Sequence, residues 1–363
     1  MKGIQVSKYV SGPSELEVKT LPTPQASPDK YLIKIHAAGT NFFDLLQIQG
    51  KYQHQPPLPW VAGMEFAGVV LATPTSSSGN TGSSVVSDLS GSISTQTAHK
   101  FKVGDRVFGA VHGAYSTHIL APESTLFPIP AGWSFADACG IYVTCPTSYG
   151  ALVTRANLQP GEWCLVHAGA GGVGLAAVQI AKALGATVVA TAGSERKRQI
   201  CREFGADFVV DYKDKAWPQK VIELASKHRE GNGKAGVDVV YDPVGMIDPS
   251  IKCITWNGRL LVIGFTSGQI EKVAMNRVLL KNISIMGLHW GMYATKEPET
   301  PPKVWQGIFD LINSGKFKPI TYTDRKYRGL ESTKDALVAL GSRGTWGKVT
   351  IEIEDEDSSR SKL

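Results

Sequence analysis

Three features that mark whole classes of protein are missing from this chain of 363 residues. Its five cysteines are odd in number and lack C-x-x-C spacing, which argues against a disulfide scaffold and favours free thiols in a reducing compartment. No dense run of Lys or Arg accompanies the formal charge of +6, so nucleic acid is not the expected partner. The first ten residues, "MKGIQVSKYV", contain no apolar stretch long enough for a secretion signal. A composition of 42% hydrophobic and 19% charged residues is instead typical of a globular protein, here long enough for two domains.

Charge is also absent between Glu162 and Lys182, over about the length of a membrane span. Four glycines in "HAGAGGVGLAAVQIA" divide this stretch into a short apolar strand and an amphipathic helix. Strand, G-x-G-x-x-G and helix in this order are typical of a dinucleotide site, where N–H groups and the helix dipole face the pyrophosphate. We therefore expect a nucleotide-binding loop rather than membrane insertion. Its candidate binding residues are Ala170, Gly171, Gly172, Val173 and Gly174.

The middle third of the chain alternates between strand and helix patterns. Helices are predicted at Glu195–Phe204 and Trp217–Arg229. Short strands with helical crossovers indicate an α/β fold with a doubly wound parallel sheet, and six strands complete a Rossmann unit. The predicted strands are Cys164–Ala168, Thr187–Ala192, Phe208–Asp211, Val237–Asp242, Arg259–Gly264 and Ile283–Leu288.

The rest of the chain does not show this alternation of strand and helix patterns. Its first part is rich in short β segments separated by Gly and Pro, and a late helix in "PKVWQGIFDLINSGK" and a strand in "GKVTIEI" are expected to return to it. A Ser/Thr/Gly-rich segment with Asp88 as its only charge predicts a disordered surface loop, with a regulatory loop as the alternative. The predicted parts are a β-rich domain at 1–135 with its loop at 73–98, a Rossmann domain at 136–288, a return at 289–353 and a flexible tail at 354–363.

The end of the second Rossmann strand predicts which nucleotide binds. NAD-dependent enzymes usually place Asp or Glu there, to hold the ribose 2′-OH. In "TVVATAGSERKR" this slot falls on Ala192 or Gly193, and Ser194 and Lys197 follow. Space and cations suit a 2′-phosphate, so NADPH is the predicted cofactor. The alternative is that these charges are only the solvated start of a helix, which would explain Arg198.

The last three residues, Ser-Lys-Leu, match a peroxisomal address that is read by an import receptor. The tail "EDEDSSRSKL" is polar enough to stay unfolded and flexible, as a receptor-read signal must be. We expect the peroxisomal matrix as the location, with the cytosol as a second one.

Three segments together resemble the medium-chain dehydrogenase/reductase superfamily, in its non-zinc quinone oxidoreductase or zeta-crystallin-like branch. They are "VHAGAGGVGLAAVQIAKALGATVVATAGSERKR", "AAGTNFFDLLQIQGKYQHQPPLPWVAGMEFAGVV" and "SRGTWGKV". The resemblance implies a GroES-like β-rich catalytic domain beside the Rossmann domain, with the active site in a cleft between them. It also implies a homodimer.

The resemblance bears on metal chemistry as well. The zinc-dependent alcohol dehydrogenases have a Cys where this chain has Asn41 and a His where it has Met64. Amide and thioether groups are poor zinc ligands, so we expect no metal site. Without Lewis-acid assistance, hydride would go to an acceptor that conjugation already activates, namely a quinone or an α,β-unsaturated carbonyl compound. A zinc alcohol dehydrogenase is the competing hypothesis.

The resemblance also implies roles for individual residues. Asn41 and Tyr52 would line the nicotinamide and the substrate, with Tyr52 as the candidate proton donor. The 2′-phosphate would be held by Lys197, Tyr212 and Arg343. Thr147, Gly264, Phe265, Leu288 and Trp290 match positions along the nicotinamide.

Each assignment has a structural alternative. Tyr52 could be ordinary packing, Asn41 and Thr147 could cap helices, and Arg343 could face solvent. Asp44 is expected to be an early-helix charge, and Glu65 a structural hydrogen-bond partner.

The function expected from these observations is a peroxisomal, zinc-independent NADPH-dependent reductase of quinones or enones. A peroxisomal 2-enoyl-thioester reductase is the alternative, favoured by the location and by "QGKY". A nucleotide-loaded, crystallin-like or RNA-binding protein is the alternative outside enzymology, disfavoured by the lack of a basic stripe with aromatics.

Overall fold

The computed structural model describes residues 1–75, 99–229 and 235–353, and the backbone alone at 86–87 and 93–94. The predicted import signal at the C-terminus and nearly all of the predicted loop at 73–98 lie outside these residues. The described chain divides into two compact units. The first contains residues 1–142, 321–344 and 349–353, and the second contains residues 143–320 and 345–348.

The strands are, in chain order, β1 (Lys2–Val6), β2 (Val18–Thr20), β3 (Lys30–Gly39), β4 (Trp60–Val61), β5 (Glu65–Ala72), β6 (Val86–Ser87), β7 (Ile93–Ser94), β8 (Arg106–Ala110), β9 (His118–Pro122), β10 (Leu126–Pro128), β11 (Trp163–Val166), β12 (Thr187–Thr191), β13 (Phe208–Val210), β14 (Val237–Asp242), β15 (Ile254–Val262), β16 (Ser284–Gly287), β17 (Tyr327–Arg328) and β18 (Thr350–Glu352).

The helices are α1 (Phe42–Ile48), α2 (Phe135–Ala138), α3 (Thr144–Tyr149), α4 (Gly172–Ala183), α5 (Glu195–Glu203), α6 (Trp217–His228), α7 (Ile247–Ser250), α8 (Met275–Lys281), α9 (Tyr293–Lys296), α10 (Thr300–Asn313) and α11 (Thr333–Gly341). A π-helical turn at Gly150–Arg155 follows α3. None of the helices in the described chain combines the length and apolarity needed to cross a membrane.

The first unit is built on a largely antiparallel sheet in the order β10-β8-β5-β3-β18-β17, with β9 also paired to β3. Strand β3 alternates, so that Tyr31, Ile33 and Ile35 are buried in the core. The last strand of the described residues, β18, pairs antiparallel with β3 through Thr350 and Gly39. The predicted return of the final strand to the β-rich domain is therefore confirmed.

The second unit contains a parallel six-stranded sheet in the order β13-β12-β11-β14-β15-β16. Numbered within the sheet, this is the Rossmann order 3-2-1-4-5-6. Strand β14 is buried along its whole length, as a central parallel strand covered on both faces should be. The predicted Rossmann sheet and its strand Val237–Asp242 are confirmed.

Three boundaries differ from the sequence prediction, namely the start of β15 and both ends of the main segment of the second unit. Strand β15 begins at Ile254 rather than Arg259, and Asn257 inside it has a positive φ of 60°. The units divide after residue 142, and residues 289–320 belong to the second unit, not to the return. Helix α10 packs there on α3, where a side chain at Gly307 would collide with the ring of Tyr149.

Candidate functional site

The glycine loop joins β11 to α4, as the sequence predicts. Gly171 precedes the first turn of α4, and its backbone N–H donates to the carbonyl of Ala168 at 2.8 Å. At Gly174 a Cβ atom would collide with that same carbonyl, so only glycine lets the helix begin this close to the loop. The first N–H groups of the 12-residue helix therefore lie at a bare, positive helix end that suits a pyrophosphate.

Another glycine completes this loop. Gly347 donates its N–H to the carbonyl of Ala170 at 2.7 Å, although 177 residues separate the two in sequence. Its φ of 56° lies in the left-handed region, and a Cβ there would collide with the carbonyl of Ile320. Sequence reasoning missed Gly347, although it lies within the quoted segment "SRGTWGKV", four positions after Arg343.

His167, directly before the loop, is a core residue. Its ring nitrogens lie 3.0 Å from the Thr191 hydroxyl and 2.8 Å from the Ser250 hydroxyl. Ser250 donates its own proton to the carbonyl of Met246, so Nε2 of His167 is the donor in the second contact. Complete burial lowers the pKa of His167 to about 4, which keeps the imidazole neutral near pH 7. This side chain supports the loop and is not exposed to a ligand.

The carboxyl ends of β12 and β13 bring three of the predicted phosphate-binding residues together. Ser194 caps α5 by accepting the N–H of Lys197 at 3.4 Å. Tyr212 follows β13 and lies against Gly193, where a Cβ atom would be 2.7 Å from its hydroxyl oxygen. Burial lowers the pKa of Lys197, and the neighbouring charge of Lys213 lowers it further. Lys213 was not identified from the sequence, and it adds a second ammonium to this place.

Arg198 is engaged with acids, as the structural alternative anticipated. Its guanidinium lies 2.9 Å from Glu195 and 2.9 Å from Asp211. Arg202 also contacts Glu195 at 3.0 Å. Both carboxylates next to Ser194 and Tyr212 are thus neutralised, which favours an anion there.

The first unit holds a buried polar cluster around α1. Asn41 caps the helix, which is the structural alternative to its predicted role at the nicotinamide, and its amide donates to the carboxylate of Glu65 at 2.7 Å. The Asp44 carboxylate accepts the N–H of Asn41 at 2.8 Å and the Tyr115 hydroxyl at 2.6 Å. All four residues are buried. The expected structural role of Glu65 is confirmed by its bond to Asn41.

Tyr52 lies close to this cluster but is only half-buried. Its ring stacks on Phe43 with 5.5 Å between centroids. Burial, and next the charge of Asp44, raises the pKa of the Tyr52 hydroxyl. The phenol therefore holds its proton at neutral pH, as a proton donor must.

The remaining predicted nicotinamide residues lie in the second unit. Gly264 follows β15 and Leu288 follows β16, with Leu288 donating its N–H to Val262 at 3.1 Å. Phe265 is exposed, whereas Trp290 stacks on Tyr293 at 5.2 Å and packs against Gly150.

Thr147 is not a helix cap. It lies inside α3 and donates to the carbonyl of Val143 at 2.7 Å. Arg343 follows α11 in the first unit with a φ of 57°. Its predicted part in binding the 2′-phosphate stays a prediction.

Asn41, whose amide is bonded to Glu65, and Met64 stand at the two positions where the resemblance to the zinc-dependent alcohol dehydrogenases would place metal ligands. Across residues 1–75, 99–229 and 235–353, no three His, Cys, Asp or Glu side chains gather as a metal site would require.

Two family models match the chain. The alcohol dehydrogenase GroES-like domain matches residues 27–131, and the zinc-binding dehydrogenase family matches residues 172–312. Quinone oxidoreductase-like protein 2 of Mus musculus is 34% identical over 343 residues, which cover 93% of this chain and 89% of that protein. Quinone oxidoreductase of Homo sapiens is 30% identical over 293 residues, covering 79% of this chain and 80% of that protein.

Solved structures of similar proteins have the same fold as this chain. The Escherichia coli quinone oxidoreductase complexed with NADPH has a TM-score of 0.80 and 28% identity, over 97% of this chain and 100% of that one. A mycobacterial protein complexed with NADPH also has a TM-score of 0.80, with 29% identity over 97% and 99% of the two chains.

Proposed function

Because this chain belongs to the quinone oxidoreductase branch of the medium-chain dehydrogenase/reductase superfamily, we propose that it reduces quinones or α,β-unsaturated carbonyl compounds with NADPH. The observation that carries the proposal is the end of β12. Ala192 or Gly193 falls in the slot where NAD-dependent enzymes have an acid, Tyr212 lies against Gly193, and Lys197 follows in the first turn of α5.

The residues present fit this cofactor. The glycine loop and the N-terminus of α4 offer backbone N–H groups to the pyrophosphate. Ser194, Lys197 and Tyr212 would hold the 2′-phosphate, with the acids Glu195 and Asp211 already paired to Arg198. When bound, NADPH supplies the hydride.

Reduction of an enone also needs a proton donor. Hydride addition to the β-carbon of an enone leaves an enolate, which one proton converts to the saturated carbonyl compound. Tyr52 would donate that proton from its hydroxyl and regain one from water, since its raised pKa keeps it protonated beforehand. A quinone takes up one hydride and one proton to give a hydroquinone, and water can supply that proton.

Single-turnover oxidation of NADPH, followed by its absorbance in a stopped-flow instrument, tests the function. We expect rapid oxidation with phenanthrenequinone that Tyr52→Phe leaves nearly unchanged. With a small enone, Tyr52→Phe should slow the step by about 100-fold, within the usual range for loss of an acid catalyst. Oxidation with crotonyl-CoA and with neither other acceptor would establish an enoyl-thioester reductase and contradict the proposal.

We also propose that two copies associate through the β16 edge of the parallel sheet. Strand β16 is the terminal strand of that sheet, and Ile285 on it is exposed. Helix α8 presents Met275, Leu279 and Leu280, the last two with 76% and 73% of their surface accessible. Edge strands and contiguous apolar surface are features that proteins usually cover. A second copy would cover both.

Sedimentation equilibrium of the purified protein tests this association. We expect a dimer for the native chain and a monomer for Leu279→Lys/Leu280→Lys. Val338→Lys alters an exposed apolar residue of α11 in the first unit and should leave the dimer intact. A monomeric native chain, or a dimer in all three proteins, would refute the proposed interface.

Import into peroxisomes stays a prediction. A fluorescent protein fused to the N-terminus of the full chain should enter peroxisomes, and removal of Ser-Lys-Leu should leave it in the cytosol. Unchanged cytosolic fluorescence in both cases would contradict the prediction.

A further inference from the structure

Ala168 stands at the start of the glycine loop with an unusual backbone conformation. Its φ of 47° lies in the left-handed region, which is disfavoured for a residue with a Cβ atom. The Ala168 carbonyl accepts the N–H of Gly171 at 2.8 Å and lies against Gly174, where a Cβ atom would be 2.3 Å from it. The start of α4 therefore depends on a strained alanine, and such strain persists only where the surrounding structure holds it.

The backbone on either side of Ala168 is bonded to the neighbouring strands. The N–H of His167 donates to the Tyr241 carbonyl of β14 at 3.0 Å, and the N–H of Gly169 donates to the Thr191 carbonyl of β12 at 2.9 Å. These two bonds fix the place where the chain leaves the sheet. They involve only the main chain, so residues other than histidine at position 167 would form them as well.

The His167 side chain adds a connection that an aliphatic residue would not make. The four residues of β11 before it are all buried and apolar, so an aliphatic side chain at position 167 would simply extend the core. Instead, the Thr191 hydroxyl donates to Nδ1 at 3.0 Å, and Nε2 donates to the Ser250 hydroxyl at 2.8 Å. The fully buried imidazole is tolerated because both of its nitrogens are paired.

The hydrogen bonds continue from Ser250 to the next strand. The Ser250 hydroxyl donates to the Met246 carbonyl, and the N–H of Met246 donates to the Asp242 carboxylate at the end of β14. Thr191 ends β12, and His167 follows β11, which lies between β12 and β14 in the sheet. One chain of hydrogen bonds therefore crosses the carboxyl ends of three adjacent strands, the edge at which parallel sheets bind ligands.

We infer that His167 is a positioning residue for the coenzyme, because its side-chain bonds hold Ala168 in the left-handed conformation before NADPH binds. The inference rests on the proposed use of NADPH. Without the imidazole, Ala168 in the free protein would relax towards the right-handed region, and binding would have to restore the left-handed conformation. His167 thus acts through the backbone of the loop, since its ring is completely buried.

A double-mutant cycle of His167→Leu and Ala168→Gly tests the inference, with dissociation constants for NADPH read from protein fluorescence well below each melting temperature. Glycine adopts the left-handed conformation without a steric penalty, so Ala168→Gly alone should bind within about 3-fold of the native protein. His167→Leu should weaken binding by about 10-fold, the cost of returning an alanine to that conformation. In the Ala168→Gly background the same change should weaken binding by less than about 3-fold.

Thr191→Val is a milder variant that keeps the shape of the side chain and removes the hydroxyl that donates to Nδ1. We expect about 3-fold weaker NADPH binding, a smaller loss in the Ala168→Gly background, and no further loss when it is added to His167→Leu. Thr255→Val is the matched control, because it removes another buried hydroxyl of the second unit, bonded to Asp238 at 3.3 Å near the amino end of β15. It should lower the melting temperature and leave the affinity unchanged.

A loss of about 10-fold from His167→Leu in both backgrounds would overturn the inference, because the effect would not pass through Ala168. Unchanged affinity in His167→Leu would also overturn it. So would equal losses of affinity in Thr255→Val and Thr191→Val, since general destabilisation would then explain both. Failure of the native protein to bind NADPH would instead refute the proposed function, so the two failures are distinguishable.

Discussion

The two units use polar side chains in opposite ways. In the first unit, Asn41, Asp44, Glu65 and Tyr115 form a buried cluster in which each carboxylate accepts short hydrogen bonds. In the second unit, the phosphate end, defined here as Gly193, Ser194, Lys197 and Tyr212, is half-buried or exposed and rests on a glycine and a helix N-terminus.

This difference in burial predicts that the first set of residues contributes to folding stability and the second to ligand binding. Removing a buried hydrogen-bond partner leaves its mate desolvated, at a cost in folding free energy. Removing an exposed one returns its mate to water, and only the ligand loses a contact. We therefore expect changes in the buried cluster to affect melting and changes at the phosphate end to affect affinity.

The largest effect should come from Gly174→Ala, which should lower both the melting temperature and the affinity for NADPH. The added methyl group meets the backbone carbonyl of Ala168, which cannot move without distorting the loop. We expect NADPH affinity to fall by about 100-fold, together with a lower melting temperature, since forced overpacking costs about 1–3 kcal/mol. Gly12→Ala is the control, because nothing lies within 4 Å of its Cβ position. Native-like affinity in Gly174→Ala would show that this backbone contact does not shape the site.

The second largest effect concerns the buried polar cluster of the first unit, where a change should affect stability alone. Tyr115→Phe removes the 2.6 Å donor to the Asp44 carboxylate while keeping the ring. Chemical denaturation should show a loss of about 2 kcal/mol, with NADPH affinity unchanged. Tyr9→Phe changes an exposed tyrosine and should have no effect. Equal stability of both variants would contradict the role assigned to the cluster.

His167 places a buried titratable group in the second unit, behind the glycine loop. Its folded pKa of about 4 lies below the ordinary value of 6.5, so between these values the unfolded chain binds a proton that the folded chain does not. Stability from this group is present above pH about 6.5 and is lost as pH falls towards about 4, by up to about 1.4 kcal/mol per pH unit. In His167→Leu, denaturation at a series of pH values should show about one proton less taken up on unfolding. An identical pH slope in the variant would contradict the assigned pKa.

The smallest effect is expected at an exposed residue of the second unit, Lys213. Lys213→Ala should weaken NADPH binding by about 3-fold at low salt and less at high salt, because exposed charges are screened. Lys215→Ala, two residues away, is the matched control. If Lys213→Ala lowered the melting temperature and left NADPH affinity unchanged, the expectation that exposed residues of the second unit affect binding and not stability would be wrong.

The sequence predicts the second unit better than the first. Parallel strands with helical crossovers leave strong local patterns, which predicted the glycine loop and the positions of Ser194 and Lys197 after the second strand, whereas Tyr212 was named only from the family resemblance. The contacts of Gly347 with Ala170 and of Tyr115 with Asp44 were not predicted, because they join residues 177 and 71 positions apart. Neither has a local periodicity to signal it. The sequence "WNG" inside β15, where Asn257 has a positive φ, also gave no strand pattern.

The most direct measurement is a parallel titration of the purified native chain with NADPH and NADH, followed by mixing with phenanthrenequinone with and without a metal chelator. The interpretation predicts at least about 10-fold tighter binding of NADPH, from the charge-assisted contacts at its 2′-phosphate, and oxidation at the same rate in both mixtures. Tighter binding of NADH, or oxidation that stops when the chelator is added, would contradict it.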